Sequence, residues 1–147
     1  MSPDPALPKR VYIAGPMQGI PEFNFPTFNA VAFCLRQDGS TVFNPAERDI
    51  ERHGGVDISK GNTTGSLAVA KGEHKFDLRQ ALREDTDFIC GCDAIVMLPG
   101  WEKSNGAQAE HRLAVALQSE GVEIVYLHPE LVSHMLLAHK AVLSDAA

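Results

Sequence analysis

A serine and a glutamate, six residues apart, lie where a helix is predicted to begin near residue 107. Ser104 can cap that helix, and the first free N–H groups of the helix can bind an anion. Gly106 allows a ligand to approach the backbone closely. Glu110 lies one to two turns into the helix, near this phosphate-sized site but not in it. On spacing alone, the pair is better explained as a simple helix cap and a solvated carboxylate.

A second group of carboxylates lies in the charged segment 83–87, shortly before the most apolar run of the chain. A carboxylate from this segment, such as Asp85 or Asp87, could meet Glu110 at the edge of a sheet. Paired carboxylates support glycosyl chemistry, in which one attacks the anomeric carbon and the other manages protons. The alternative is an ordinary charged helix face.

Apolar runs separated by turn residues predict an alternation of strands and helices. The predicted strands are 11–14, 41–43, 94–98 and 122–127, and the predicted helices are 25–37, 76–91, 107–119 and 129–143. Strand, helix and strand joined by short connections form a unit with parallel strands. We therefore predict an α/β fold with three layers, of the Rossmann or flavodoxin type. Its parallel sheet has four or five strands and is flanked by helices.

Two stretches are harder to assign. Segment 47–74 contains five glycines and two histidines, so it is predicted to be a long loop insertion, reaching to about residue 75, with a helical turn or two. In the helix after it, Leu78 and Leu82 are expected to face inward, with Phe88 and Ile89 as further candidates. The last helix carries an apolar stripe that fits either core packing or a subunit contact. The stripe consists of Leu131, Met135, Ala138 and Val142.

Composition limits the class of protein. The chain has 147 residues, a net charge of −6 and three cysteines. This length predicts one domain, 11–147, after a flexible N-terminus, 1–10. The negative charge argues against a nucleic-acid or anionic-membrane surface, and no apolar run reaches the length of a membrane span. The sparse, odd cysteine count and the absence of a signal peptide predict a cytoplasmic protein with reduced thiols.

Ligands of open parallel sheets bind beyond the carboxyl ends of the strands. Segments 15–19, 44–47 and 99–110 follow predicted strands and should converge there. These segments, with the strands before them, resemble the DUF4406 family, in the motifs 11–17, 44–47, 92–101 and 104–110. That family looks like a branch of the nucleoside 2-deoxyribosyltransferase-like superfamily. The resemblance covers roughly residues 11–127, and its motifs are specific only in combination.

The resemblance implies roles for individual residues. In the transferases and in the hydrolases of 5'-monophosphates, a glutamate early in a helix attacks C1' of the sugar, and Glu110 matches it. Asp85 matches an aspartate that protonates the departing base, with Asp87 as the fallback. Ser104 matches a serine that binds the 5'-phosphate in the hydrolases, with Gly106 in register. Transferases acting on free nucleosides commonly carry an aspartate there, so Ser104 favours a nucleotide substrate.

Further substrate contacts are expected at the other strand ends. Gln18 stands where the hydrolases tend to carry an arginine, which weakens the phosphate argument. Trp101 follows a strand break and could either stack on the base or pack beneath a loop. The remaining expected substrate-binding residues are Tyr12, Gly15, Met17 and Asn44.

The predicted function is cleavage of the N-glycosidic bond of a (deoxy)nucleoside 5'-monophosphate, by hydrolysis or by base transfer. One alternative is a glycohydrolase acting on NAD or a cyclic ADP-ribose signal, and another is a non-catalytic nucleotide-binding protein. No cofactor and no metal are expected, because the cysteines at 90 and 92 lack a second ligand pair. The expected partners are a small nucleotide or nucleoside and further copies of the chain, as a dimer or a larger homo-oligomer, since superfamily members commonly form them.

Overall fold

The computed structural model describes residues 9–145. Its centre is a sheet of four parallel strands in the order β2-β1-β3-β4. The strands are β1 (Arg10–Ala14), β2 (Thr41–Phe43), β3 (Ala94–Met97) and β4 (Glu123–Tyr126). The predicted α/β class and parallel sheet are therefore confirmed, with four strands. Arg10 already belongs to β1, and residues 1–8, which were predicted to be flexible, lie outside the described residues.

Two helices cover each face of the sheet, which gives the predicted three layers. Helices α1 (Phe25–Gln37) and α6 (Pro129–Asp145) pack together over one core, which includes Val11, Ile13 and Val96. Helices α4 (Leu78–Cys90) and α5 (Asn105–Leu117) cover the other face, which includes Tyr12 and Met97. Because β1 and β3 are central and buried on both faces, they read as unbroken apolar runs.

The prediction of a long loop at 47–74 is wrong in part, because two helices lie there. Helix α2 (Pro45–Arg52) begins at a proline, and helix α3 (Leu67–His74) begins after a serine cap that accepts a hydrogen bond from Val69. An irregular segment, 53–66, separates them. The buried residues of α2 are Pro45, Ala46 and Asp49, so only small apolar residues and a carboxylate mark its buried face, which gives a weak apolar period.

The prediction that Leu82 faces inward is wrong. Leu82 is exposed on α4, whose buried residues are Ala81, Asp85 and Ile89.

The apolar stripe of α6 divides between the two interpretations that the sequence left open. Met135 packs partly against the core, beside the buried Val132, while Leu131 and Val142 are exposed.

Candidate active site

The Tyr12 hydroxyl donates a hydrogen bond to the Glu110 carboxylate, which joins the middle of β1 to the second turn of α5. Tyr12 is fully buried and stacks on Phe43, with ring centroids 5.4 Å apart. Its ring is therefore held in place, and its hydroxyl is a fixed donor. Glu110 is partly buried as a residue, and its carboxylate is held by this rigid donor.

Asp85, on α4, is the second carboxylate near this tyrosine, close enough for its charge to raise the pKa of both Tyr12 and Glu110. Its side chain is 8% exposed, and Oδ1 has no hydrogen-bond partner among the residues described. Asp87 lies on the exposed side of the same helix. Of the two aspartates predicted from sequence, the structure therefore brings Asp85 to Tyr12 and Glu110.

Burial changes the acidity of all three groups. Removal from water raises the pKa of Glu110 to about 8, although the hydrogen bond from Tyr12 opposes this shift. Burial likewise raises the pKa of Asp85 to about 7, and the charge of Asp49 adds to the effect. The pKa of Tyr12 lies well above its ordinary value, because burial and the two carboxylates disfavour a phenolate. Near neutral pH the two acids can therefore hold and exchange protons, while Tyr12 remains a donor.

The start of α5 has the geometry expected of a helix cap. Ser104 Oγ accepts a hydrogen bond from the Ala107 amide at 3.2 Å, so Ser104 is the N-cap residue. A side chain added at Gly106 would meet no atom within 4 Å, which leaves open space beside the first turn. An anion could reach this turn, with Glu110 less than two turns further along the helix.

Three of the predicted substrate contacts lie in the turn after β1, and each has different surroundings; they are Gly15, Met17 and Gln18. Gly15 is required by packing, because an added Cβ would lie 2.7 Å from Leu98 Cβ. Met17 packs partly against the core, and Gln18 is exposed. Both Met17 and Gln18 line a cavity at this edge of the sheet, whereas Gly15 brings the turn close to the end of β3.

Two further predicted contacts have structural partners. Asn44 is buried; its amide donates to Asn29 Oδ1 at 2.9 Å, and its Oδ1 caps α2 by accepting from the Ala46 amide. The side chain of Asn44 thus serves the fold, which gives no support to the prediction that it contacts substrate. Trp101 stacks on His111, with ring centroids 4.2 Å apart, so one face of the indole is occupied.

The family model for a domain of unknown function (DUF4406) matches residues 9–126. The chain belongs to this family. The matched region of this DUF4406 protein contains Tyr12, Asp85, Ser104 and Glu110, and the whole of α6 lies beyond it. None of the curated proteins compared with the chain matches it.

The DUF4406 chain also contains a buried ionic cluster that sequence reasoning missed. Arg52 is almost completely buried and binds Asp49 Oδ1 at 2.5 Å and Glu84 Oε2 at 3.0 Å. Arg48 also binds Glu84, at 3.1 Å. The spacing of Asp49 and Arg52 could have suggested a salt bridge within a helix, but the segment was taken for a loop. The cluster lies beside Asp85, whose pKa it influences.

The described residues contain neither a metal-binding group of side chains nor a helix that could span a membrane. Within residues 9–145, no three His, Cys, Asp or Glu side chains are grouped as a metal site would need. None of the helices in the same range combines the length and the apolar character that crossing a bilayer requires.

Proposed function

We propose that this DUF4406 protein cleaves the N-glycosidic bond of a nucleoside 5'-monophosphate. The observation that supports this most directly is the hydrogen bond from the buried Tyr12 hydroxyl to Glu110, with Asp85 near enough for its charge to act on both groups. Two acids with separate surroundings and pKa values near neutrality are suited to divide the roles of nucleophile and proton donor.

The proposed reaction has two steps. Ionised Glu110 attacks C1' of the sugar, the C1'–N bond breaks, and the base leaves with the bonding electrons and takes a proton from Asp85. Water then attacks C1', gives a proton to Asp85 and releases Glu110, which completes hydrolysis. If a second base attacks in place of water, the outcome is transfer.

The reaction needs ionised Glu110 and protonated Asp85. The hydrogen bond from Tyr12 favours the ionised form of Glu110, but burial raises the pKa of Glu110 to about 8, above the value of about 7 for Asp85. The singly protonated pair therefore carries its proton mainly on Glu110, and the reactive form, with the proton on Asp85, is the minor one. Because the two acids interact, their titration belongs to the pair, and the rate should follow a bell-shaped pH profile. The optimum should lie between the two apparent pKa values of the pair, close to neutral pH.

The preference for a nucleotide over a nucleoside rests on the first turn of α5. Ser104 is neutral, and the adjoining backbone amides at this end of a 13-residue helix favour an anion. An acidic residue at the same place would repel a phosphate. Gln18 is exposed and adds no positive charge, so the helix terminus must supply the attraction.

Chromatography of a panel of nucleotides, nucleosides and NAD after incubation with the protein tests the proposal. We expect free base from deoxynucleoside 5'-monophosphates and little from the matching nucleosides. Glu110→Ala should abolish release, whereas Glu102→Ala, which removes an exposed glutamate eight residues earlier, should not. Release from NAD alone would favour a dinucleotide glycohydrolase. Absence of release from every compound, together with nucleotide binding, would favour a non-catalytic binding protein.

A further inference from the structure

A cavity lies at the carboxyl edge of the sheet, and Asp49 in its lining is close enough to Asp85 for its charge to raise the pKa of that residue. The enclosed volume is about 70 Å³, below the usual range for whole small-molecule sites, so the cavity suits one flat ring of a ligand and not a complete nucleotide. Its walls come from the turn after β1, from α2, and from residues 58–78. Most of the lining is apolar, as Phe23, Ile58, Ala70 and Phe76 illustrate.

Asp49 is the charged residue in this lining, and it is 5% exposed. Arg52 binds its Oδ1, while no group among residues 9–145 donates a hydrogen bond to Oδ2. Asp49 Oδ2 can therefore accept a hydrogen bond from a ligand in the cavity. Burial raises the pKa of Asp49 to about 6, so the group is mostly ionised at neutral pH and acts as an acceptor.

The outer wall of the cavity is fastened to the turn after β1 by backbone contacts. The Gly19 amide donates to Gly65 O at 2.9 Å, and the Glu22 amide donates to Asn62 O at 2.8 Å. Asn62 is buried, and its side chain bonds to both backbone groups of Ser66. A Cβ at Gly65 would collide with the carbonyl of Ile20. The wall is therefore closely fitted to the turn that also carries Met17 and Gln18.

We propose that this cavity binds the base of the nucleotide and that Asp49 selects bases with an exocyclic amino group. The inference rests on the proposed function, which supplies the nucleotide as the ligand. A flat apolar ring suits the apolar walls, and an amino group supplies the donor that Asp49 Oδ2 lacks. An oxo group at the same position would bring an acceptor against a carboxylate, which is repulsive.

Paired nucleotides that differ at this one position give the test. Deoxycytidine and deoxyuridine monophosphates carry an amino and an oxo group at the same ring position, and so do deoxyadenosine and deoxyinosine monophosphates. Binding is measured by titration calorimetry on Glu110→Ala protein, which cannot turn the ligand over. We expect the amino member of each pair to bind roughly 10- to 100-fold more tightly, as one charge-assisted hydrogen bond allows.

Substitution of Asp49 should move this preference. An amide can donate to an oxo group, so Asp49→Asn, combined with Glu110→Ala, should lose the preference or reverse it. Glu51→Gln removes an exposed acid of the same helix and should leave the preference unchanged. If Asp49→Asn does not fold, Ala70→Val provides the second variant. It adds bulk to the cavity wall and should weaken binding of all four nucleotides at least tenfold, with the melting temperature as the check on folding.

The outcomes separate this inference from the proposed function. Equal binding of both members of each pair by the Glu110→Ala protein would overturn the role of Asp49, even if the wild type releases base. Unchanged affinity in Ala70→Val would overturn the assignment of the cavity. A clear amino preference in binding, combined with no base release by the wild type, would support the cavity and refute the catalytic proposal.

Discussion

Replacement of Glu110 by glutamine should make the protein more stable at alkaline pH while it removes activity. Glutamine has the shape of a neutral glutamic acid and can still accept the hydrogen bond from Tyr12. The folded protein raises the pKa of Glu110 from 4.5 to about 8, so the folded state holds this proton more tightly than the unfolded state. The stability that this proton provides is complete below the unfolded pKa and is lost as the pH rises to the folded value.

The size of the effect follows from the pKa shift. Each pKa unit corresponds to about 1.4 kcal/mol, so a fully desolvated Glu110 would cost the wild type at most ~4 kcal/mol at about pH 8. Because Glu110 is partly exposed, water reduces this cost, and we expect a difference of about 1 to 3 kcal/mol. For a chain of this length, that corresponds to a rise in melting temperature of roughly 3 to 10 °C.

The measurement is urea or thermal unfolding of the wild type and Glu110→Gln, followed by circular dichroism at about pH 8 and about pH 4. The variant should be more stable at the higher pH, and the difference should vanish at the lower pH. Glu102→Gln makes the same chemical change at an exposed position and should show no such pH dependence. Equal stability of wild type and Glu110→Gln at both pH values would refute the desolvation of Glu110.

Three further predictions concern the site and its wall. Tyr12→Phe removes the hydrogen bond that favours ionised Glu110. The acidic limb of the kcat profile, which reports this ionisation, should therefore move upward by about 1 pH unit when kcat is measured from pH 5 to 9. An unmoved limb would contradict the role of Tyr12. Ser104→Asp should reduce kcat/KM for monophosphates roughly 10-fold or more relative to Ser104→Ala, because a carboxylate repels phosphate, and equal values would count against phosphate binding there. Gly65→Ala should destabilise the protein by about 1 to 3 kcal/mol in urea unfolding, because the added Cβ would collide with the carbonyl of Ile20. Gly61→Ala should destabilise it less, because Gly61 shares the positive φ but a Cβ there would meet no atom within 4 Å.

The sequence predicted those parts of the fold in which local pattern and tertiary environment agree. Residues 25–37 form α1 as predicted, because the apolar period of this segment is the face that packs on the sheet. The central strand at 94–97 is apolar on both faces because helices cover it on both sides. Helix α2 was not predicted because its buried side combines small apolar residues with Asp49, which pairs with Arg52, and so lacks a regular apolar period.

The candidate site also has one part that local sequence predicted and another part that depends on tertiary packing. Ser104 and Glu110 are close in sequence on one helix, so their relation could be predicted from spacing. The approach of Asp85 to Glu110 depends on how α4 and α5 lie beside each other on the sheet, and the resemblance to a known superfamily suggested it where spacing could not. The structural role of Asn44 could not be predicted from sequence, because its hydrogen-bond partner, Asn29, lies on another element.

The fastening of residues 62–65 to the turn after β1 has a kinetic consequence. A ligand enclosed by this wall cannot leave faster than the wall opens, and opening breaks the hydrogen bonds donated by the amides of Gly19 and Glu22. Hydrogen–deuterium exchange at these two amides therefore reports the open fraction directly. A bound nucleotide that holds the wall shut slows exchange at both amides together. Where every opening leads to exchange, the exchange rate equals the opening rate of the wall, which limits the release of the ligand.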